Sequence, residues 1–227
     1  MKIITWNCNM AFRKKADLIL AHKPDLLVVP ECEHPDKIKF LTPPSDALWF
    51  GINQNKGLGI FSFSDLKLQV MEEYNPEFRM IIPIRVKRKR FTLILYAIWA
   101  NNPSDRDGHY VTQIWKALKH YDALLGHKRT VLVGDFNSNT LWDKPRRKGN
   151  HSHVVEVLQQ KRISSTYHRY FQQEQGKEIH PTFYLYKNKE KPYHLDYCFV
   201  SADLSKNSGW LKWAIMIPGN PTVIMFP

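Results

Sequence analysis

Apolar residues fall into short runs along this chain, and several runs end on an acid or a carboxamide. Lys2-Ile3-Ile4-Thr5-Trp6 leads into Asn7-Cys8-Asn9, and Leu26-Leu27-Val28-Val29 leads into Pro30-Glu31-Cys32-Glu33. Thr130-Val131-Leu132-Val133 passes through Gly134 into Asp135-Phe136-Asn137-Ser138-Asn139. Runs of β-branched residues and leucine predict strands covered on both faces. A glycine after such a run allows a sharp turn or a close backbone approach. The stretch Tyr193–Val200 carries Asp196 within aromatic and apolar neighbours. Burying an acid there is costly unless it is paired or bound to a metal.

Between these runs the pattern predicts a short amphipathic helix over Ala11–His22, ended by Pro24, and a strand pair at Ala47–Gly51 and Gly57–Ser62 joined by a turn at Asn53–Lys56. A weak strand is expected at Leu66–Met71 and the strongest hairpin at Met80–Val86 with Phe91–Trp99. Asn101–Gly108 reads as a polar loop, and Tyr110–Leu125 as the best helix, with Val111, Ile114, Trp115, Leu118, Tyr121 and Leu125 on one side. His153–Gln160 reads as another helix, His180–Tyr184 as a strand and Lys187–Lys191 as a charged turn. No repeat, low-complexity tract or linker interrupts the chain, so one domain over residues 1–227 is expected.

Four strand ends thus present Asn7, Glu31, Asp135 with Asn137, and Asp196. In open α/β sheets, ligands gather at the carboxyl ends of strands. Asp135 and Asn137 are two apart and share a face if the chain stays extended. An acceptor beside a carboxamide suits orienting water next to a phosphate. The same residues also suit a capped turn.

The motifs Thr5-Trp6-Asn7-Cys8-Asn9, Val29-Pro30-Glu31-Cys32-Glu33, Gly134-Asp135-Phe136-Asn137 and His194-Leu195-Asp196-Tyr197 occur in an order that resembles the endonuclease/exonuclease/phosphatase superfamily. The resemblance implies an α/β four-layer α-β-β-α sandwich, with two packed mixed β-sheets flanked by helices. It implies a divalent-metal phosphodiesterase or phosphatase. Glu31 is then the metal ligand, since Mg²⁺ or Mn²⁺ prefers oxygen donors and needs few carboxylates. Asn7 would help hold the metal or a phosphate oxygen, and Asn9 ranks below it. Asp135 would handle the proton of the attacking water or leaving oxygen, and Asn137 would bind phosphate. Asp196 takes the family's place for an acid near the metal or a catalytic histidine. His194 shares its face if that strand is regular, and could contact phosphate or be structural. Trp99 stands where the family places a Tyr or His near the substrate. Glu33 reads as a surface acid. His151 and His153 form a pair without the accompanying ligands of a zinc site, and read as a helix entry.

One family feature is absent. The family ends in Ser-Asp-His-x-Pro, whereas here no histidine follows His194. Aligning Pro221 with the motif proline puts Gly219 where the histidine belongs, and aligning Pro218 puts Met216 there. The codons suggest a cause. Ala214-Ile215-Met216-Ile217-Pro218 requires GCN ATH ATG ATH CCN, which reads NAT HAT GAT HCC from the third base of the alanine codon. That frame can spell Asp-His-Asp-Pro, so a frame change in the gene or gene model is the expectation.

Composition narrows the partner. The chain has 227 residues and a net charge of +12, which favours polyanions. Lys87–Arg90 forms one basic cluster and Lys144–Lys148 another; in the second, Arg146 and Arg147 lie near the Asp135 motif and are candidates for substrate binding. Nucleic acid, DNA or RNA, is therefore favoured over a small phosphoester, with a basic binding protein on a retired nuclease scaffold as a third reading. No apolar run is long enough for a membrane span. The first motif starts at residue 3, leaving no room for a signal peptide. Cys8, Cys32 and Cys198 form no disulfide framework, which fits small buried thiols in a reducing, cytoplasmic setting. A monomer is expected.

Overall fold

The structure is a computed structural model that describes residues 1–101, 110–206, 212–214 and 222–225. In chain order its strands are β1 (Lys2–Thr5), β2 (Leu26–Cys32), β3 (Asp46–Asn53), β4 (Lys56–Ser62), β5 (Lys67–Val70), β6 (Ile81–Arg88) and β7 (Phe91–Trp99). Then come β8 (Thr130–Asp135), β9 (Ile163–Ser165), β10 (Phe183–Tyr184), β11 (Pro192–Tyr193), β12 (Asp196–Ser201), β13 (Lys212–Ala214) and β14 (Thr222–Met225). The helices are α1 (Ala16–Leu20), α2 (Val111–His120), α3 (Asp122–Leu125), α4 (His151–Gln160), α5 (Thr166–Phe171) and α6 (Ala202–Lys206).

Among the described residues the strands form two six-stranded sheets, ordered β13-β14-β1-β2-β4-β3 and β5-β6-β7-β8-β12-β9, plus the small β10–β11 pair. Each large sheet is mixed, with a parallel pair, β1 with β2 and β7 with β8 respectively, among antiparallel neighbours. Alternation along the strands explains the layers. Ile3, Leu26 and Val28 face Ile82, Leu95, Val131 and Val133 between the sheets. Ile4, Leu27 and Val29 turn outward to Phe12, Ala16 and Ile19 around α1. On the opposite side, Tyr96, Leu132, Tyr197 and Phe199 pack against Ile114, Leu118, Val154 and Leu158 of α2 and α4. The expected sandwich is therefore present, and β8 is buried along both faces.

Local departures have local causes. The helix expected over Ala11–His22 is broken into a 3-10 turn at Phe12–Lys14 and α1, with Lys15 out of helical geometry between them. The helix expected over Tyr110–Leu125 breaks at Tyr121, whose hydroxyl accepts the Asn75 amide N–H at 3.1 Å. The strand expected over His180–Tyr184 shortens to β10, because Thr182 turns its hydroxyl to the amides of Leu195 and Asp196. The elements β9 and α5 are additions that the pattern did not predict. The Asn101–Gly108 loop lies outside the described residues except for Asn101.

Candidate active site

The two parallel pairs end at the same rim of the sandwich. In one sheet β1 and β2 deliver Asn7 and Glu31; in the other β7 and β8 deliver Trp99 and Asp135, whose Cα positions are register partners. Strand β12 starts at this rim, and its first residue, Asp196, lies directly opposite Asp135. The carboxamide of Asn7 bridges the sheets, donating from Nδ2 to Asp135 Oδ2 at 2.8 Å and towards Glu31 Oε1 at 3.4 Å.

Backbone geometry aims these groups. At Gly134 φ is +141°, and a Cβ there would lie 1.9 Å from the carbonyl oxygen of Ile98, so only glycine lets β7 and β8 close up at the site. Glu31 has φ 64° within a register shift between Pro30 and Cys32. This bulge takes Glu31 out of the strand's alternation and turns it to the rim. Left-handed backbone at a non-glycine residue costs stability, and such strain concentrates at functional sites. Asn137 also has positive φ, 45°. Its amide donates to Asp135 Oδ1 at 2.8 Å, and its Nδ2 donates to Asp135 Oδ2 at 2.9 Å and to the Ala100 carbonyl at 2.7 Å. Asn9 contributes its backbone N–H, which donates to Asn7 Oδ1 at 2.9 Å and so orients the Asn7 amide with its nitrogen toward the acids.

Electrostatically the site is an unbalanced acidic cluster. Burial raises the Asp135 pKa, and the facing Asp196 and then Glu31 push it further up, against the hydrogen bonds from Asn7 and Asn137. Burial likewise raises Asp196, with Glu31 adding to it and the Thr182 hydroxyl opposing it. Like charges directly opposite on paired strands are destabilising. Oδ1 of Asp196 is buried and finds no hydrogen-bond partner among the described residues. An acidic cluster of this kind suits a hard cation, a proton or a cationic side chain. Among the described residues no three acid, imidazole or thiol side chains converge to cage an ion. The donors nonetheless fit Mg²⁺ or Mn²⁺, which takes one or two protein carboxylates and completes its shell with water and substrate oxygens.

The remaining candidates lie as follows. Trp99 is almost entirely buried at the rim, and the Lys56 ammonium sits 5.2 Å from its ring centroid. Lys56 Nζ also lies 3.1 Å from Glu31 Oε2. His194 falls between β11 and β12, where the strand is not regular, so it does not share the face of Asp196. Its ring packs against Tyr167 and Tyr197, with Nδ1 2.8 Å from the His180 carbonyl, and burial lowers its pKa to about 4. Arg146 is exposed, whereas Arg147 is fastened into its own loop by Asn150 Oδ1 at 2.7 Å and the Trp142 carbonyl at 3.4 Å. Glu33 is not the surface acid expected: it is buried, accepts the Phe12 amide at 2.7 Å and pairs with Arg13. The pair His151 and His153 does form a helix entry, with His153 Nδ1 accepting the Asn150 amide at 3.2 Å.

Behind the acids lies a polar network that sequence reasoning missed. Asn139 Nδ2 donates to Glu178 Oε2, the His194 carbonyl and the Tyr197 hydroxyl, each at 3.1 Å. Glu178 Oε1 accepts from the Gly176 amide at 3.0 Å and lies 2.9 Å from His168 Nε2. This network ties the segment after Asn137 to β12. Lys56 was read only as a turn residue. Its role emerges only because its strand pairs with the strand that carries Glu31, a pairing no local pattern in the sequence encodes.

A family model described as the Endonuclease/Exonuclease/phosphatase family matches residues 4–217. No curated protein matches the sequence closely enough to count as a relative. Among solved structures, the chain is similar to a 3'-5' exonuclease (NExo) from Neisseria meningitidis, with TM-score 0.67 and 19% identity over 100% of this chain and 99% of that one. It is similar to an AP endonuclease from Archaeoglobus fulgidus, with TM-score 0.67 and 17% identity over 100% and 99% of the two chains. A Neisseria 3' phosphatase NExo bound to product DNA hairpin gives TM-score 0.68 at 19% identity over 100% and 99%. At these identities the likeness establishes a shared fold.

Proposed function

The chain belongs to the endonuclease/exonuclease/phosphatase family, and from that premise we propose that it is a metal-assisted phosphodiesterase that hydrolyses nucleic acid. The observation that carries this reading is the rim itself: Asp135 and Asp196 face each other, Glu31 is presented on a strained bulge, and Asn7 links the two sheets. In this reading Glu31 would hold a Mg²⁺ or Mn²⁺ ion, with Asn7 orienting Oε1 of that carboxylate. When bound, the ion neutralises charge developing on the phosphate oxygens. Asp135 orients the attacking water and takes its proton; the new bond joins the water oxygen to phosphorus, the bond to the leaving oxygen breaks, and Asp135 returns the proton to that oxygen. Asn137 locks Asp135 in place, and would contact phosphate only by releasing the Ala100 carbonyl or Asp135 from its Nδ2. Asp196 takes the place of the acid that the family sets near the metal or its catalytic histidine.

Nucleic acid is favoured over a small phosphoester by the surface beside the rim. The β10–β11 hairpin follows Thr182, which contacts the Asp196 backbone, and it exposes Phe183 (40%) and Tyr186 (83%) among Lys187, Lys189 and Lys191. Basic residues interleaved with open aromatic rings suit a phosphate backbone and stacked bases. A cleft of about 370 Å³, lined by Trp49, Phe50, Tyr74, Arg79 and Asn101, adjoins the other side. We propose a monomer of one domain acting in the cytoplasm. Among the described residues no helix is long and apolar enough to cross a membrane. The test is hydrolysis of supercoiled, abasic and single-stranded DNA and of RNA, with short DNA added as competitor against a small phosphoester. Inhibition by DNA at low salt supports the reading, and indifference to DNA favours a small phosphoester.

A further inference from the structure

We infer that Lys56 is a catalytic residue of this site, its ammonium meeting a non-bridging oxygen of the scissile phosphate; the inference rests on the phosphoester-hydrolase reading above. The turn Asn53–Lys56 looks like an ordinary solvated hairpin end in the sequence. In the fold β4 is shared between β3 and β2, with Asn53 opposite Lys56 on one side and Gly57 opposite Cys32 on the other. Lys56 therefore stands level with the bulge that displaces Glu31. Its Nζ lies 3.1 Å from Glu31 Oε2, while Oε1 of the same carboxylate faces Asn7. On its other side the indole of Trp99 sits 5.2 Å from Nζ, and Trp99 is the register partner of Asp135. Carboxylate and aromatic face together aim the ammonium at the space between Glu31 and Asp135.

Three features separate a catalytic role from that of a plain counter-ion. Lys56 is 39% exposed while Glu31 is 18% exposed, so the ammonium is open to an incoming anion. An ammonium has three donors and Glu31 engages one side of it. Among the described residues this is also the ion pair that reaches a site carboxylate, in a rim that holds Glu31, Asp135 and Asp196 and must accept a phosphate gaining negative charge. A pair this exposed contributes little to stability, so fold maintenance is a weak reason for its placement. A cation held where charge develops is worth far more in a site closed by substrate. With Glu31 engaged elsewhere, the Lys56 ammonium would be free to turn to the phosphate.

The experiment compares the full chain with Lys56→Met and Lys56→Arg. Mn²⁺ affinity is read by electron paramagnetic resonance of the free ion, inorganic phosphate affinity of the Mn²⁺-loaded protein by ³¹P line broadening, and turnover on the best phosphoester at saturating Mn²⁺. Lys56→Met should lose about 10²-fold in kcat, bind phosphate at least several-fold more weakly and bind Mn²⁺ as tightly or more tightly; Lys56→Arg should recover part of both losses. Unchanged kcat and phosphate affinity would overturn the inference, as would a kcat loss that extra Mn²⁺ restores, which would mean that Lys56 only orients Glu31. Loss of the fold in Lys56→Met, seen by circular dichroism, would make the pair structural and also overturn it. If the wild-type chain hydrolyses no phosphoester, the hydrolase reading fails by itself, and the phosphate affinities still decide the role of Lys56.

Discussion

Replacing Glu178 by Gln tests whether the network behind the acids holds the site together. Burial pushes the Glu178 carboxyl up, but hydrogen bonds from His168, the Gly176 amide and Asn139 outweigh it and hold the pKa down at about 2, against an ordinary value of 4.5. Its side chain is only 3% exposed, so little solvent screening applies. A gap of roughly 2.5 pKa units corresponds to about 3 kcal/mol at neutral pH. The folded pKa is depressed, so this stability is present in full above about pH 4.5 and is lost as pH falls toward 2; at pH 3 about half remains. Glutamine keeps the shape and one acceptor but removes the charge. For a chain of this size Glu178→Gln should lower Tm by up to about 6–12 °C at pH 7, and the difference from wild type should shrink below pH 4.5. Because Glu178 acts through Asn139 on the Asp135–Asn137 turn, kcat should fall more than KM rises. The assay is paired calorimetry and steady-state kinetics at pH 7, with calorimetry repeated at pH 3.5. A Tm difference that stays constant with pH would refute the assignment of the charge, and an unchanged kcat would refute the positioning role.

Two further outcomes follow from the same residues. His151 is buried with Nδ1 2.8 Å from Ser138 Oγ and Nε2 3.2 Å from Gln175 Oε1, and burial lowers its pKa to about 4. Its neutral form is favoured in the fold, so stability is full above about pH 6.5 and declines as pH falls toward 4; the loss by pH 5 is about 2 kcal/mol. Urea midpoints at pH 7.5 and 5 should show it, and His151→Gln should reduce the difference. At the terminus, reading the DNA across codons 213 to 218 should reveal a shifted frame that spells Asp-His. Codons unable to do so would eliminate that idea. A chain with the frame restored should turn over about 10²–10⁴-fold faster, and near-full activity of the 227-residue chain would mean that another group has replaced the histidine.

The fold was legible because its strands are short apolar runs of fixed alternation, and β8 reads as buried on both faces from Thr130–Val133 alone. The acids were legible because each stands where such a run ends, and the fold does bring Asn7, Glu31, Asp135, Asn137 and Asp196 to one rim. His194 was misplaced by assuming an unbroken strand; the break at His194–Leu195 depends on Thr182, 13 positions from Leu195, which no local pattern encodes. Glu33 looked like a surface acid because its partners, the Phe12 amide and Arg13, lie in another element. Lys56, Asn139 and Glu178 escaped notice for the same reason: each acquires its meaning from a partner brought close only by sheet pairing or packing.

The central claim is that Glu31 and Asp135 are the working acids of a metal-assisted phosphodiesterase. The most direct measurement is hydrolysis of DNA and RNA substrates by wild type, Glu31→Ala and Asp135→Ala, with Mg²⁺ and with EDTA. The account predicts Mg²⁺-dependent cleavage by wild type, abolished by EDTA, and loss of most of that activity in each variant with the circular dichroism spectrum unchanged. Cleavage that survives EDTA, or variants that keep wild-type rates, would contradict it.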